Sequence, residues 1–194
     1  MKKRLFLFLI LVLPLTGFTE TYTVDTAHSR IGFSIRHFVI NTIHGNFSDY
    51  NGTIIYNPSD AALCSVKGTI QAGSIITQNE RRDADLRSAN FFDTAKYPKI
   101  HFESTKVEGK NGNLNVTGNF TMHGITKVIS FPAIVKGPVK DLWGNKRIGV
   151  SARLRIARRD FGILYDRKMD SGDVVLSDDV EIAIDAEAVE EGLN

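Results

Sequence analysis

The sequence predicts an all-β protein with one short α-helix, and three observations carry that prediction. Apolar and polar residues alternate over most of the chain after residue 20, and Gly, Asn and Pro interrupt the alternation at short intervals. Only the stretch from Asn79 to Asn90 departs into helical chemistry. Successive strand residues point to opposite faces, so each strand offers one apolar face to a core and one polar face to water. About eight such strands suit one sheet that closes on itself, which also removes exposed edges, or two sheets packed as a sandwich. Periodicity alone leaves both open.

The first strand sets Ile31, Phe33 and Ile35 on one face, with His37 ending that row, and Arg30, Ser34 and Arg36 on the other. Asp25 and His28 are expected to fix the start of this strand. Phe47 belongs to the next strand and Ile54 and Tyr56 to another, with Asn51-Gly52 between them as a hairpin or bulge signal. Val66, Gly68 and Ile70 then oppose Ser65, Lys67 and Thr69.

The helix follows. Asn79 is a good N-cap, Glu80, Asp83 and Asp85 place negative charge in the early turns where the helix dipole favours it, and Asn90 is the expected stop. Phe91 and Phe92 form an aromatic plug at its end. Pro98 biases Tyr97 to extended geometry and leads into the next strand. There Ile100, Phe102 and Ser104 oppose Lys99, His101 and Glu103, and a turn over Gly109 to Gly112 leads into Leu114, Val116, Gly118, Phe120 and Met122.

His123-Gly124 turns the chain again, into a strand on which Ile129, Phe131, Ala133 and Val135 share a face. Pro132 within it marks an edge or a bulge. A turn at Trp143-Gly144-Asn145 precedes Ile148, Val150, Ala152, Leu154 and Ile156, which alternate with Arg147, Ser151, Arg153 and Arg155. The last strand sets Val180, Ile182, Ile184 and Ala186 against Glu181, Asp185 and Glu187. Its acidic face suits the basic face of the strand before it.

A length of 194 residues fits one domain. Residues 1–19 read as a secretory signal peptide: Lys2, Lys3 and Arg4, then an apolar run from Leu5 to Leu13, too short to span a bilayer, then Pro14 and small residues. Residues 20–194 form the predicted domain, and the expected location is the periplasm. Loss of the three leading basic residues takes the formal charge from +2 to −1, so the basic pI is no argument for a nucleic-acid partner. Cys64 is the sole cysteine, which rules out an intrachain disulfide.

The five histidines form neither an H-x-x-x-H nor an H-x-H pair, so no metal site is expected, and no nucleotide-binding or nucleophile-elbow motif is present. No cofactor and no catalysis are expected. Phe33, Ile35, Phe47, Ile54, Phe102, Phe120, Met122, Phe131, Leu154 and Ile182 lie on the more apolar faces of their strands. They form either ordinary core or the lining of a cavity. His37 is placed near the mouth of such a cavity. Arg36, Arg81, Arg82, Arg87, Lys127, Arg158 and Arg159 are the candidates for attracting a phosphate, although Arg158 and Asp160 read first as a structural ion pair or turn contact.

The block D-x-x-L-R-S-A-x-F-F-D-x-x-K-Y-P, from Asp83 to Pro98, resembles the signature of the YceI family of polyisoprenoid-binding or lipid-binding periplasmic proteins. Asp25 to Phe38, Gly118 to Phe131, Asp141 to Gly149, Arg158 to Gly162 and Leu176 to Ile184 agree with it in the expected order. The resemblance implies a lipocalin-like antiparallel β-barrel with a helix at one end. It also implies an apolar cavity that takes an amphiphilic lipid with a polyprenyl or acyl chain, such as an isoprenoid quinone or a polyprenyl pyrophosphate. On that view the ten apolar residues and His37 are ligand-binding, Phe91, Phe92 and Tyr97 stand at one barrel end, and a transient membrane contact is left open. The alternatives are a lipid-modifying enzyme using His37 or His123 as acid or base, and an interaction module working through the helix and the loop around Trp143.

Overall fold

The computed structural model describes residues 19–38, 40–166 and 175–191; the expected signal peptide lies, but for Thr19, outside them. Ten antiparallel strands and one helix are found among these residues. The strands are β1 (Glu20–His37), β2 (Asn41–Phe47), β3 (Tyr50–Tyr56), β4 (Ser65–Gln71), β5 (Ile75–Ile76), β6 (Lys99–Lys110), β7 (Asn113–Met122), β8 (Ile125–Lys140), β9 (Lys146–Ala157) and β10 (Leu176–Glu190), and the helix is α1 (Glu80–Arg87). Neighbours run β10-β9-β8-β7-β6-β4-β3-β1, and β1 pairs back onto β10, which closes an eight-stranded barrel. The barrel and its helix bear out the expected fold class, and the sandwich is excluded by the β1–β10 seam.

The long first strand organises this closure. It pairs with β10 from Tyr22↔Glu190 to His37↔Leu176, while its other edge is shared, Glu20–Thr23 pairing with β3 and Ile31–His37 with β2. β2 and β3 are therefore two halves of one broken strand. The break falls at Ser48 and Asp49, whose backbone N–H groups donate to the Ser74 carbonyl at 3.2 Å and to Ser74 Oγ at 3.1 Å. This corrects the reading of Asn51-Gly52 as a hairpin. Both residues lie inside β3 opposite Thr69 and Gly68, and a Cβ on Gly52 would come within 3.1 Å of Val24 Cγ2. Gly52 is there for close packing.

Asp25 and His28 also sit elsewhere than expected. β1 starts at Glu20, and the two residues hold a bulge inside it, between Asp25 and Arg30. Asp25 Oδ1 accepts from the Ala27 N–H at 3.1 Å, and its Oδ2 lies 2.8 Å from His28 Nδ1. The other turns follow their residues. Asn111-Gly112 (φ 54° and 74°) and His123-Gly124 (φ 51° and 75°) are two-residue hairpin loops with both central residues in the left-handed region. Pro132 pairs with Asn115 of β7, and the β8–β9 ladder begins only at Ala133↔Ala152, so the proline stands where one ladder stops.

The helix closes one end of the barrel. Asn79 Oδ1 caps it by accepting from the Arg82 N–H at 3.0 Å. It ends at Ser88, two residues before the expected stop, because Ser88 turns back onto the Asp85 carbonyl through its N–H (3.0 Å) and Oγ (2.7 Å). Asn90 instead braces that turn through Asp85 Oδ1 at 3.0 Å. Asp83 is buried and accepts from the N–H (2.9 Å) and Oγ1 (2.5 Å) of Thr77, while Arg82 donates to Thr77 Oγ1 and O, each at 2.7 Å. Arg87 reaches the carbonyls of Gly73 (2.7 Å) and Ile75 (2.8 Å). Beyond the helix, Phe91 stacks on Tyr165, Phe92 sets its edge against Phe47, and Tyr97 sets its edge against His123. The plug belongs to the core.

Candidate functional site: an apolar cavity along the barrel

The inward rows of the strands do not fill the barrel. A cavity of about 240 Å³ runs between them, from Tyr56 and Cys64 at the β3–β4 connection to Met122, Ile156 and Arg158 at the helix-bearing end. Small residues keep it open: Gly52 faces Gly68 across β3 and β4, and Ala133 faces Ala152 across β8 and β9, all four in the wall. Bulkier rings shape the rest. Phe102 and Phe131 lie 5.4 Å apart between centroids, Phe33 and Phe47 5.8 Å, and Phe120 meets Phe161 edge-on.

Nine of the eleven residues expected to contact a ligand stand in this wall: Phe33, Phe47, Ile54, Phe102, Phe120, Met122, Phe131, Leu154 and Ile182. Ile35 and His37 do not. They lie toward the end of β1, where it pairs with both β2 and β10: Ile35 is opposite Ile43 and Val180, and a register shift separates Ile35 from His37. The His37 ring packs on the neighbouring Phe38, 4.0 Å between centroids. Val180 and Ile156, level with Ile35 on the next two strands, do line the cavity.

The polar groups near the wall are mostly committed. Cys64 Sγ takes the Asn57 N–H at 3.3 Å, and burial pushes its thiol pKa up, which keeps it neutral. Burial likewise raises the pKa of Tyr50 and Tyr56. His123 and His37, the two histidines considered as acid or base, lie outside the wall, and His123 Nδ1 is 3.0 Å from the Phe161 carbonyl. Asp25, His28 and Glu187 bring ligand atoms within 4.8 Å of one another on the surface. The Arg147 guanidinium lies 2.8 Å from Asp25 and 3.4 Å from Glu187 and supplies the positive charge.

A hollow of about 550 Å³ borders Arg30, His44, Arg153, Arg155, Glu181 and Asp185. Most of its charges neutralise one another, through Arg153–Asp185 (2.7 Å) and Arg155–Glu181 (2.8 Å). These pairs join the basic face of β9 to the acidic face of β10, as the sequence predicted. The enclosed apolar space is the better site for a ligand.

Of the two roles expected for Arg158, an ion pair with Asp160 or a turn contact, the structure gives the second: its Nη1 donates to the Ile163 carbonyl at 2.7 Å, while Asp160 pairs with Lys127 at 3.3 Å. Arg158 is 4% exposed and stands in the cavity wall. The signal was in the sequence: Ile148, Val150, Ala152, Leu154 and Ile156 place Arg158 next in the same inward row.

A chemically uniform apolar space inside a closed barrel offers van der Waals contact to a chain-like molecule, and comparison with known proteins points to one group of such barrels. The YceI-like domain matches residues 22–188. A protein of Salmonella newport named YceI is 34% identical over 98% of this chain and 100% of its own. The crystal structure of the Campylobacter jejuni YCEI protein superposes with a TM-score of 0.70 at 34% identity, covering 87% of this chain and 96% of that one. A polyisoprenoid binding domain from Saccharophagus degradans, implicated in plant cell wall breakdown, shares the fold at 19% identity and a TM-score of 0.66, over 88% of this chain and 98% of its own. With the family match spanning almost the entire barrel and relatives above 30% identity aligning end to end, this chain belongs to the YceI family.

Proposed function

We propose that the protein is a secreted periplasmic carrier or reservoir for an amphiphilic lipid with a polyisoprenoid tail, and that it works by sequestration without a covalent step. The observation that carries this reading is the apolar cavity running along a closed barrel, lined by Phe33, Phe102, Phe131 and Leu154 among others. Each methylene taken from water into such a space contributes roughly 0.8 kcal/mol, so even a modest length of tail offsets the cost of immobilising it. Selection is then by length and shape. The polyisoprenoid-binding relative of the same fold supports the choice of tail.

A transient membrane contact also belongs to this reading, and the β8–β9 hairpin tip supports it. Leu142 and Trp143 stand 96% and 80% exposed there, with exposed Lys136 and Lys140 on the same hairpin. An indole beside lysines suits the headgroup region of an anionic bilayer.

Native mass spectrometry of the mature protein, purified without detergent from its secretion compartment, tests the reading. A stoichiometric adduct that extracts as a prenyl lipid is the expected result. A bare polypeptide, unchanged after incubation with polyprenyl and acyl lipids, would overturn the carrier reading, and turnover of the bound lipid would overturn the sequestration mechanism.

A further inference from the structure

We propose that Arg158 is an anion seat at the helix-bearing end of the cavity, and that the lipid it receives carries a phosphate or carboxylate head. This rests on the carrier reading and narrows it. The residue stands just past the end of β9, two positions after the inward Ile156, and is 4% exposed. Its Nε donates to the Ser177 carbonyl at 2.9 Å and its Nη1 to the Ile163 carbonyl at 2.7 Å, whereas Nη2 donates to none of the described groups.

No carboxylate among the described residues lies within 4.0 Å of this guanidinium. The acidic groups nearby are engaged by other cations, Asp160 by Lys127, and Asp166 and Asp178 by Arg159 at 2.9 Å and 3.9 Å. An arginine stays charged in proteins, and a charge this far from water is ordinarily paired. Two carbonyls fix its orientation, and Asp178 and Asp166 favour its charge from a distance without pairing with it, against burial and the neighbouring Arg159. A guanidinium held in that way, in a residue of the wall of an otherwise apolar space, has the fork geometry that phosphate and carboxylate oxygens match.

The carbonyl contacts also tie down the connection between β9 and β10, so the test must separate anchoring from anion binding. Lipids with one tail and different heads do so: geranylgeranyl phosphate against geranylgeraniol, and palmitate against hexadecanol. Each is titrated into the wild type, Arg158→Gln and Arg158→Lys, with circular dichroism reporting the fold. A charge-assisted hydrogen bond is worth about tenfold or more in affinity. The wild type is expected to prefer each anion over its alcohol by at least that factor. Arg158→Gln is expected to lose the preference, read as the ratio of anion to alcohol affinity within the variant, and Arg158→Lys to keep part of it, as a point charge would.

Equal binding of anion and alcohol by the wild type would overturn the assignment and leave the carrier reading standing. So would a preference that survives in Arg158→Gln, or in Arg158→Lys at full strength should the glutamine variant fail to fold. Failure of the wild type to bind all four lipids would instead overturn the carrier reading itself. Inorganic phosphate alone is the last probe. Binding of it as tightly as geranylgeranyl phosphate, lost in Arg158→Gln, would assign the seat to a free anion and overturn the lipid headgroup.

Discussion

The ring of Phe33 occupies the space that a side chain at Gly45 would need. The two residues face each other across β1 and β2, and a Cβ on Gly45 would lie 2.3 Å from Phe33 Cζ and 2.9 Å from Thr77 Cγ2. Gly45→Ala therefore has to push the ring aside. Overpacking of this kind costs about 1–3 kcal/mol, so chemical denaturation should show the variant less stable by that order. A displaced ring should also reduce lipid uptake, and unchanged stability together with unchanged uptake would show that the ring can move freely.

Filling the bore from β9 should abolish binding more selectively. Ala152 faces Ala133 across β8 and β9 and lines the cavity. Ala152→Phe is expected to keep the barrel fold, because its ring has empty space to enter, and to lose the bound lipid in native mass spectrometry. A full-occupancy adduct in the variant would count against the cavity as the binding place.

The acid limb of stability should trace to one guanidinium. Arg147 donates to Asp25 and Asp141 at 2.8 Å and 2.9 Å, and these bonds hold each carboxyl at a pKa of about 2, below the ordinary 3.8. Because the folded values lie below the unfolded ones, the contribution is fully present above about pH 4 and is lost as the pH falls through about 2. Denaturation midpoints measured from pH 6 to pH 2 should decline in that window for the wild type. Arg147→Gln should be less stable at pH 6 and decline less.

The connection holding α1 depends on a buried carboxylate. Asp83, 6% exposed, takes two hydrogen bonds from Thr77, and Asp83→Ala would leave the Thr77 N–H without its acceptor. The expected loss is about 1–3 kcal/mol. Hydrogen exchange should show faster opening of Thr77 to Arg87 with the β6–β7 hairpin unaffected; uniform protection would mean that water or another group replaces the carboxylate.

The hairpin tip offers a separable prediction. Replacing Leu142 and Trp143 together with serine touches no core residue, since both side chains stand in solvent. Sedimentation with vesicles containing anionic phosphatidylglycerol should fall several-fold relative to wild type, with lipid binding in detergent-free solution retained. Equal sedimentation of the two proteins would remove the tip from the membrane reading.

How far the sequence could be read depended on the reach of each signal. Strand alternation located nearly every element and nine wall residues, because an inward position is a local, period-2 property. It could not tell which positions of a row meet the cavity, and so Ile35 and His37 were placed with Phe33 although neither stands in its wall. Asn-Gly was equally readable at Asn111-Gly112, where it is a turn, and at Asn51-Gly52, where it is not. The difference comes from Val24 and Gly68, contributed by distant strands. For Arg158, local charge suggested Asp160 as partner, while the fold gave that carboxylate to Lys127.

The seam between β1 and β10 has a kinetic consequence. It joins Tyr22 to Glu190, so the barrel wall is incomplete until the last strand has emerged and found the first. Pairings this distant in sequence are slow to form, since the loop entropy is lost before the contacts are gained. Until then the inward rows of the other seven strands border an open trough, and a long hydrocarbon chain can be laid along it sideways. After closure the same chain must thread in from an end. The rate of filling should therefore differ greatly between refolding in the presence of lipid and adding lipid to the finished barrel.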